Sequence, residues 1–255
     1  MTPPQSPEVP GISFFAADYS HDGKYHVLLA ATGSVATIKL PLIAKLLTKK
    51  GGLSTRLSIR ILLSQSATNF LQAQSAEQPS LSALGAIAGV DGIYLDQDEW
   101  AKPWIRNDAI LHIELRRWAH VLVIAPLSAN SLAKIANGLS DNLLLSVVRA
   151  WDTTGLIDPG GNEVGRCTTE PGVKGEDPSR KRIFVAPAMN TAMWKHPITR
   201  KHIQILEDDF GAWMTVLKPV AKELACGDVG DGAMMDWQAI VHHTQGYLGL
   251  PSSVD

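Results

Sequence analysis

Leu111 to Asn142, LHIELRRWAHVLVIAPLSANSLAKIANGLSDN, decides how the rest of the chain is read. It divides into a helix, a buried strand, and a polar loop that opens a second helix. His112, Glu114, Arg116 and Arg117 belong to the first helix, which Trp118 and Ala119 bring to its end. The run Val121 to Ala125 is continuously apolar and rich in β-branched residues, the pattern of a parallel strand covered on both faces. Pro126 is expected to stop that strand. Ser128, Ala129, Asn130 and Ser131 then supply hydroxyls, an amide and the free N–H groups of a helix start. In an open α/β sheet, ligands sit at that carboxyl end of a strand. A plain strand–loop–helix with Ser and Asn caps would look the same, so this stretch sets geometry before it sets function.

The same unit recurs outward from there. Tyr25 to Ala31 has a buried-strand pattern and runs into Thr32-Gly33-Ser34-Val35-Ala36, followed by apolar residues at helical spacing (Ile38, Leu42, Ile43, Leu46, Leu47). A strand, a Gly-Ser turn and a helix present backbone N–H groups to a phosphate, although one glycine also suits a plain turn. Leu57 to Leu63 gives a second strand. The Ser64–Ser66 loop follows it and is expected to lead into a helix from Asn69 onward. The Gln72–Gly92 stretch is rich in small residues and shows no clear boundaries, and Asp96 to Trp100 has the look of a solvated acidic loop. The helix opened at Ser128 is expected to continue through Leu143–Ala150. Ile183–Ala186 and Trp213–Leu217 read as strands, Leu224–Met234 as a Gly-rich loop, and Trp237 to about Gln245 as a last helix. Alternation of this kind implies an α/β fold: a single-domain, doubly wound parallel sheet with helices on both faces.

Two stretches fall outside that alternation. Residues 1–23 carry Pro3, Pro4, Pro7 and Pro10 and suggest a poorly ordered leader, leaving a domain at 24–248. Residues 153–180 are rich in Gly and Pro with no apolar period, as expected of an exposed, mobile insertion. Across the 255 residues, 23 Lys+Arg against 25 Asp+Glu give a net charge of −2, which argues against nucleic acid or an anionic membrane as partner. No apolar run approaches the ~18 residues of a membrane helix, and no secretory pattern precedes the first strand. With Cys167 and Cys226 as the only cysteines, a soluble cytoplasmic protein is expected. No metal-ligand cluster is evident.

Three strand ends (Gly33-Ser34, Ser64–Ser66 and Ser128–Ser131) offer hydroxyls and amides with no Walker lysine, which favours a phosphate-bearing cofactor held by dipoles over a triphosphate being cleaved. No acidic residue stands at the ribose-binding spacing after Gly33, which disfavours NAD. FMN, with its single phosphate, fits better. The segments ATGSVA, LHIELRRWAHVLVIAPLSANSLAKIANGLSDNLL, APAMNTAMW and LACGDVGDGAM together closely resemble the phosphopantothenoylcysteine decarboxylases. These belong to the homo-oligomeric flavin-containing Cys decarboxylases, a family that also holds the lantibiotic-processing decarboxylases and the halotolerance flavoproteins.

The resemblance covers roughly residues 25–245 and implies a Rossmann-like or flavodoxin-like flavoprotein. It implies FMN-dependent decarboxylation of 4′-phospho-N-pantothenoylcysteine to 4′-phosphopantetheine, a step of coenzyme A biosynthesis. By motif position, the catalytic histidine falls on His112 and the reactive cysteine on Cys226, in a Gly-rich lid. The carboxylate-binding asparagine falls on Asn190, with Met193 beside it in the substrate-binding motif. FMN contacts fall on Gly33, Ser34, Val35, Ser64, Ser66, Ser128, Ala129, Asn130, Ser131 and Ala188. The Ser64–Ser66 loop matches the family only loosely, and 153–180 is absent from compact members. The resemblance also implies a homotrimer with sites between protomers, self-sufficient here because His112, Asn190 and Cys226 are all present. The alternative it carries is a regulatory flavoprotein that binds and inhibits a protein phosphatase. Residues 248–255 carry no acidic run, which favours the enzyme.

Overall fold

Strand β1 (Tyr25–Ala31) pairs in parallel with β2 (Leu57–Leu63), Tyr25 opposite Leu57 through to Ala31 opposite Leu63. On its other side β1 pairs with β6 (Val121–Leu127), which in turn pairs with β7 (Arg182–Pro187). The computed structural model describes residues 15–49, 56–157, 181–223 and 229–250. Adding β5 (Val90–Leu95) beside β2 and β8 (Met214–Val216) beside β7 completes a six-stranded, all-parallel sheet in the order β5-β2-β1-β6-β7-β8. Counted along the chain, those strands run 3-2-1-4-5-6, the order of the dinucleotide-binding sheet and not the flavodoxin order. The order reverses between β1 and β6, and that reversal opens a crevice at their carboxyl ends.

Both faces of the sheet are covered, which is why its central strands are predominantly apolar. Val27, Leu29 and Ala31 face a cluster with Leu40, Ile43 and Leu47 of the helix Leu40–Thr48 and Ile240 and Val241 of the helix Trp237–Tyr247. Leu28 and Ala30 face the opposite cluster, with Leu115 and Trp118, Leu132 and Ile135, and Leu144 and Val147, from helices Leu111–Trp118, Ala129–Ala136 and Leu143–Arg149. The doubly wound architecture is as expected.

Several local expectations change. β6 runs through Pro126 to Leu127, with the Ala125–Pro126 bond cis. The helix begun at Ala129 stops at Ala136, and Gly138, at φ +72°, turns the chain before Asn142 caps a separate helix. Ser64 leads into a one-turn helix, Gln65–Thr68. Where a helix was expected beyond Asn69, the short strands β3 (Gln72–Ser75) and β4 (Gln78–Ser80) pair antiparallel. The Gly-rich stretch near the end forms an antiparallel hairpin of β9 (Val220–Glu223) and β10 (Val229–Ala233). Residues 224–228, and Cys226 with them, lie outside the described residues. So do Cys167 and residues 158–180 of the expected insertion, and residues 1–14 of the expected leader. From Ala16 that leader segment is docked: Ala16–Tyr19 forms a 3-10 turn, and the Ala16 N–H donates to Glu114 Oε2 at 2.8 Å. Among the described residues no helix is long and apolar enough to cross a membrane.

Candidate active site

Thr32, the residue after β1, ties the two halves of the crevice together. Its hydroxyl donates to the Pro126 carbonyl at 3.0 Å and accepts from the Ser128 N–H at 2.7 Å. Its own N–H donates to the same Pro126 carbonyl. Thr32 is fully buried, and sequence reasoning passed it over because a threonine beside a Gly-Ser turn looks like part of the turn. Next, Ser34 caps the 3-10 turn Val35–Lys39 by accepting from Ala36 N–H, and Val35 is exposed at its start. Ser128 caps the helix Ala129–Ala136 by accepting from Ser131 N–H at 3.3 Å, with Asn130 exposed.

Ser64 and Ser66 belong to the same wall. The Ser64 N–H donates to the Ala31 carbonyl at 3.1 Å, and the Ser64 and Ser66 hydroxyls lie 3.1 Å apart. A side chain at Gly33 would place its Cβ 2.6 Å from the Ser66 hydroxyl oxygen, so the glycine is there for close approach of the two loops. Together the loops at 33–35, 64–66 and 128–131 offer hydroxyls and backbone N–H groups at three helical starts; none carries a carboxylate of its own, and the Gln65 N–H is taken by Asp96. That donor set suits the phosphate of a flavin cofactor.

Ala188 sits at the end of β7, where its N–H donates to the Leu127 carbonyl at 2.9 Å and draws the following turn against the Ser128 loop. Asn190 caps the helix Thr191–Lys195, its Oδ1 accepting from Met193 N–H at 2.8 Å. That bond commits the amide oxygen inward and leaves the NH2 of an exposed residue to donate to a ligand. Met193 is 46% exposed beside it. The β9–β10 hairpin lies directly on this turn: Met189 N–H donates to the Gly232 carbonyl at 3.0 Å. A Cβ at Gly232 would run into the Met189 carbonyl, and one at Gly230 into the Thr191 side chain. These two glycines, expected to loosen a lid, instead permit tight contact.

His112 stands in the first turn of its helix and is anchored by a residue the sequence did not single out. Glu99 receives the His112 backbone N–H on Oε2 at 3.1 Å and lies 2.6 Å from His112 Nδ1 through Oε1. The Glu99 side chain is only 5% exposed, so the acidic stretch from Asp96 is no solvated loop. Asp96 is turned inward as well: its Oδ2 accepts from Gln65 N–H at 2.9 Å, and burial raises its carboxyl above the usual carboxylate range. The structure thus gathers the Gly33, Ser64–Ser66, Ser128–Ser131 and Ala188–Asn190 loops at the carboxyl edge. His112 is reached through Glu99, which follows edge strand β5, whereas Asn190 follows β7. Strands β2, β1 and β6 stand between, roughly 19 Å of sheet at ~4.8 Å per strand.

Comparison with known proteins agrees with this geometry. Residues 16–249 match the Flavoprotein family. A Schizosaccharomyces pombe protein named a probable thymidylate synthase is 43% identical over 231 residues, which are 90% of this chain and 30% of that protein. The chain spans about a third of the length of its first fungal relatives, 30% of one and 36% of another. A phosphopantothenoylcysteine decarboxylase of Arabidopsis thaliana is 42% identical over 84% of this chain and 80% of its own length. Among solved structures, a cysteine-to-serine variant of a PPC decarboxylase complexed with pantothenoylaminoethenethiol aligns at 39% identity and a TM-score of 0.65. It covers 87% of this chain and 97% of that one. The FMN binding protein AtHal3 aligns at 40% identity and a TM-score of 0.62, covering 87% and 95%. A doubly wound sheet whose switch-point loops offer phosphate donors, matched to that family over nearly all the described residues, belongs to the flavoprotein family.

Proposed function

We propose that this chain decarboxylates 4′-phospho-N-pantothenoylcysteine to 4′-phosphopantetheine, with FMN as cofactor, as a cytoplasmic homotrimer acting in coenzyme A biosynthesis. The observation that carries the reading is the Asn190 turn, an exposed amide donor held against the switch-point crevice by Ala188 on one side and Gly232 on the other. The Arabidopsis relative named for this activity, and the solved complex of a decarboxylase with an enethiol, support it.

A cysteine carboxylate cannot lose CO2 unless the electrons left behind have somewhere to go. Bound FMN would supply that by accepting a hydride equivalent from the cysteine side chain and returning it after CO2 has left. His112 takes the proton released in the oxidation. Asn190 orients the carboxylate for departure through its amide N–H. Cys226 returns a proton to the enethiolate. Overall one CO2 leaves and one proton replaces it, with no net change in oxidation state. The Ser34, Ser64–Ser66 and Ser128–Ser131 loops hold the cofactor, and the wide separation of the Glu99 and Asn190 supports favours a site shared between protomers.

The test is turnover of 4′-phospho-N-pantothenoylcysteine by purified protein, comparing wild type with Cys226→Ser. Wild type should be yellow, release CO2 and form phosphopantetheine, and Cys226→Ser should release CO2 but accumulate the enethiol. A yellow protein without turnover would remove the enzymatic reading and leave a binding protein that retains flavin.

A further inference from the structure

We propose that Glu99 is a positioning residue for His112, fixing the ring as the tautomer that carries its proton on Nδ1 and keeps the Nε2 lone pair for the substrate. The inference rests on the decarboxylase reading for its kinetic part only; the geometry stands by itself. His112 turns two donors toward one carboxylate, its backbone N–H at 3.1 Å from Oε2 and its ring Nδ1 at 2.6 Å from Oε1. An ionised carboxylate is acceptor-only, so the proton between Oε1 and Nδ1 belongs to the ring. A neutral imidazole protonated at Nδ1 has its lone pair on Nε2, the end directed away from Glu99.

Glu99 is itself held for the task. Its side chain is 5% exposed against 22% for His112, so the pair is shielded at the carboxylate and open at the imidazole. It leaves the 3-10 turn Asp96–Asp98, and that turn is pinned at both ends: Asp98 Oδ2 accepts from Leu95 N–H at 2.7 Å, and Asp96 Oδ2 accepts from Gln65 N–H at 2.9 Å. A charge-assisted bond from a rigid turn restricts the ring in a way a solvent contact would not.

Counting acceptors yields the test. Both Glu99 oxygens accept, so an amide of the same shape cannot replace them: Gln offers one acceptor and one NH2. In Glu99→Gln the amide oxygen serves the His112 backbone N–H, and its NH2 donates to Nδ1. That moves the ring proton to Nε2 and removes the lone pair the reaction needs. The probe is 15N-histidine-labelled flavoprotein observed by NMR, alongside steady-state kinetics with 4′-phospho-N-pantothenoylcysteine. Wild type should show a protonated Nδ1 and unprotonated Nε2 for His112, and Glu99→Gln the reverse. kcat should fall about 100-fold, within the range of general acid–base contributions, with KM changed less than about two-fold. Unchanged ring nitrogens, or unchanged kcat, in a normally folded Glu99→Gln protein would overturn the proposal. If wild type shows no turnover, the decarboxylase reading fails while the ring nitrogens still decide the pairing. Should Glu99→Gln fold poorly, Glu99→Asp serves: its shorter arm cannot span both bonds, so kcat should fall with the ring proton no longer fixed on one nitrogen.

Discussion

The Thr32 hydroxyl, at the end of β1, bridges two backbone groups at the end of β6, and removing it strands the buried Ser128 N–H while the Pro126 carbonyl keeps the Thr32 N–H. Thr32→Val should cost about 1–3 kcal/mol, visible as a lower Tm and weaker FMN retention, while Thr32→Ser keeps the oxygen and most of the stability. Gly232→Ala is expected to be worse for function than for the core. The added methyl meets the Met189 carbonyl, so the hairpin must lift from the Asn190 turn and KM should rise in the decarboxylation assay. Ser128 was legible in the sequence because a helix cap has a local signature. Thr32, Glu99 and Asp96 were not, since each acts across more than ten residues on a partner that only the fold brings near. An acidic run usually faces water, and nothing within Asp96–Trp100 announces that two of its carboxylates turn inward.

Apolar residues at five of its seven positions made β2 readable to the residue, whereas β5, half-buried at the sheet edge and interrupted by Gly92, left too little signal. Helical elements failed at their breaks for a related reason: whether Gly138 ends a helix depends on what the next turn can pack against. At the amino end of the sheet, β1 and the start of β6 meet through two histidines. His26 N–H donates to His120 Nδ1 at 2.8 Å, and their rings stack 4.8 Å apart. Burial, with the nearby His26 and Lys181 charges, holds the His120 imidazole down to about 3. An unfolded histidine titrates near ~6.5, so the unfolded chain takes up a proton that the folded one refuses. The stability this group contributes is complete above about pH 6.5 and drains away as pH falls toward 3, by about 1.4 kcal/mol per unit at most. Burial lowers His26 in the same sense, opposed by Asp22. The Tm of wild type should therefore drop between pH 7 and pH 5, and that of His120→Asn should drop less. Asp96 supplies the matching prediction at the other end of the sheet. Asp96→Ala frees Gln65 N–H and the Ser64–Ser66 loop, and FMN should dissociate about ten-fold more readily, followed by flavin fluorescence.

For the molecule as a whole, alternation of strands and helices made the doubly wound class legible, but the lateral order of the strands was not. Right-handed crossovers permit both the 3-2-1-4-5-6 and the 2-1-3-4-5 arrangements, and only the pairing of β1 with both β2 and β6 distinguishes them. With the supports of His112 and Asn190 so far apart across the sheet, the proposed sharing of sites between protomers has a direct consequence. Co-expressed His112→Asn and Cys226→Ser chains should recover phosphopantetheine formation that neither makes alone, at roughly a quarter of sites for random mixing in a heterologous ring. Sites built within single chains would recover none.

The acidic turn behaves as a ruler. Asp96 reaches the Ser64–Ser66 loop and Glu99 reaches His112, so under the proposed function the spacing between cofactor support and base is written into the pitch of one helical turn. Adding or deleting a residue inside Asp96–Glu99 swings one of the two carboxylates to the wrong side. Lengthening the chain between Trp100 and Ile110, where Trp100, Trp104 and Ile105 are exposed, leaves the graduation untouched. Homologous chains that keep this chemistry should therefore differ freely in length after Glu99 and not before it.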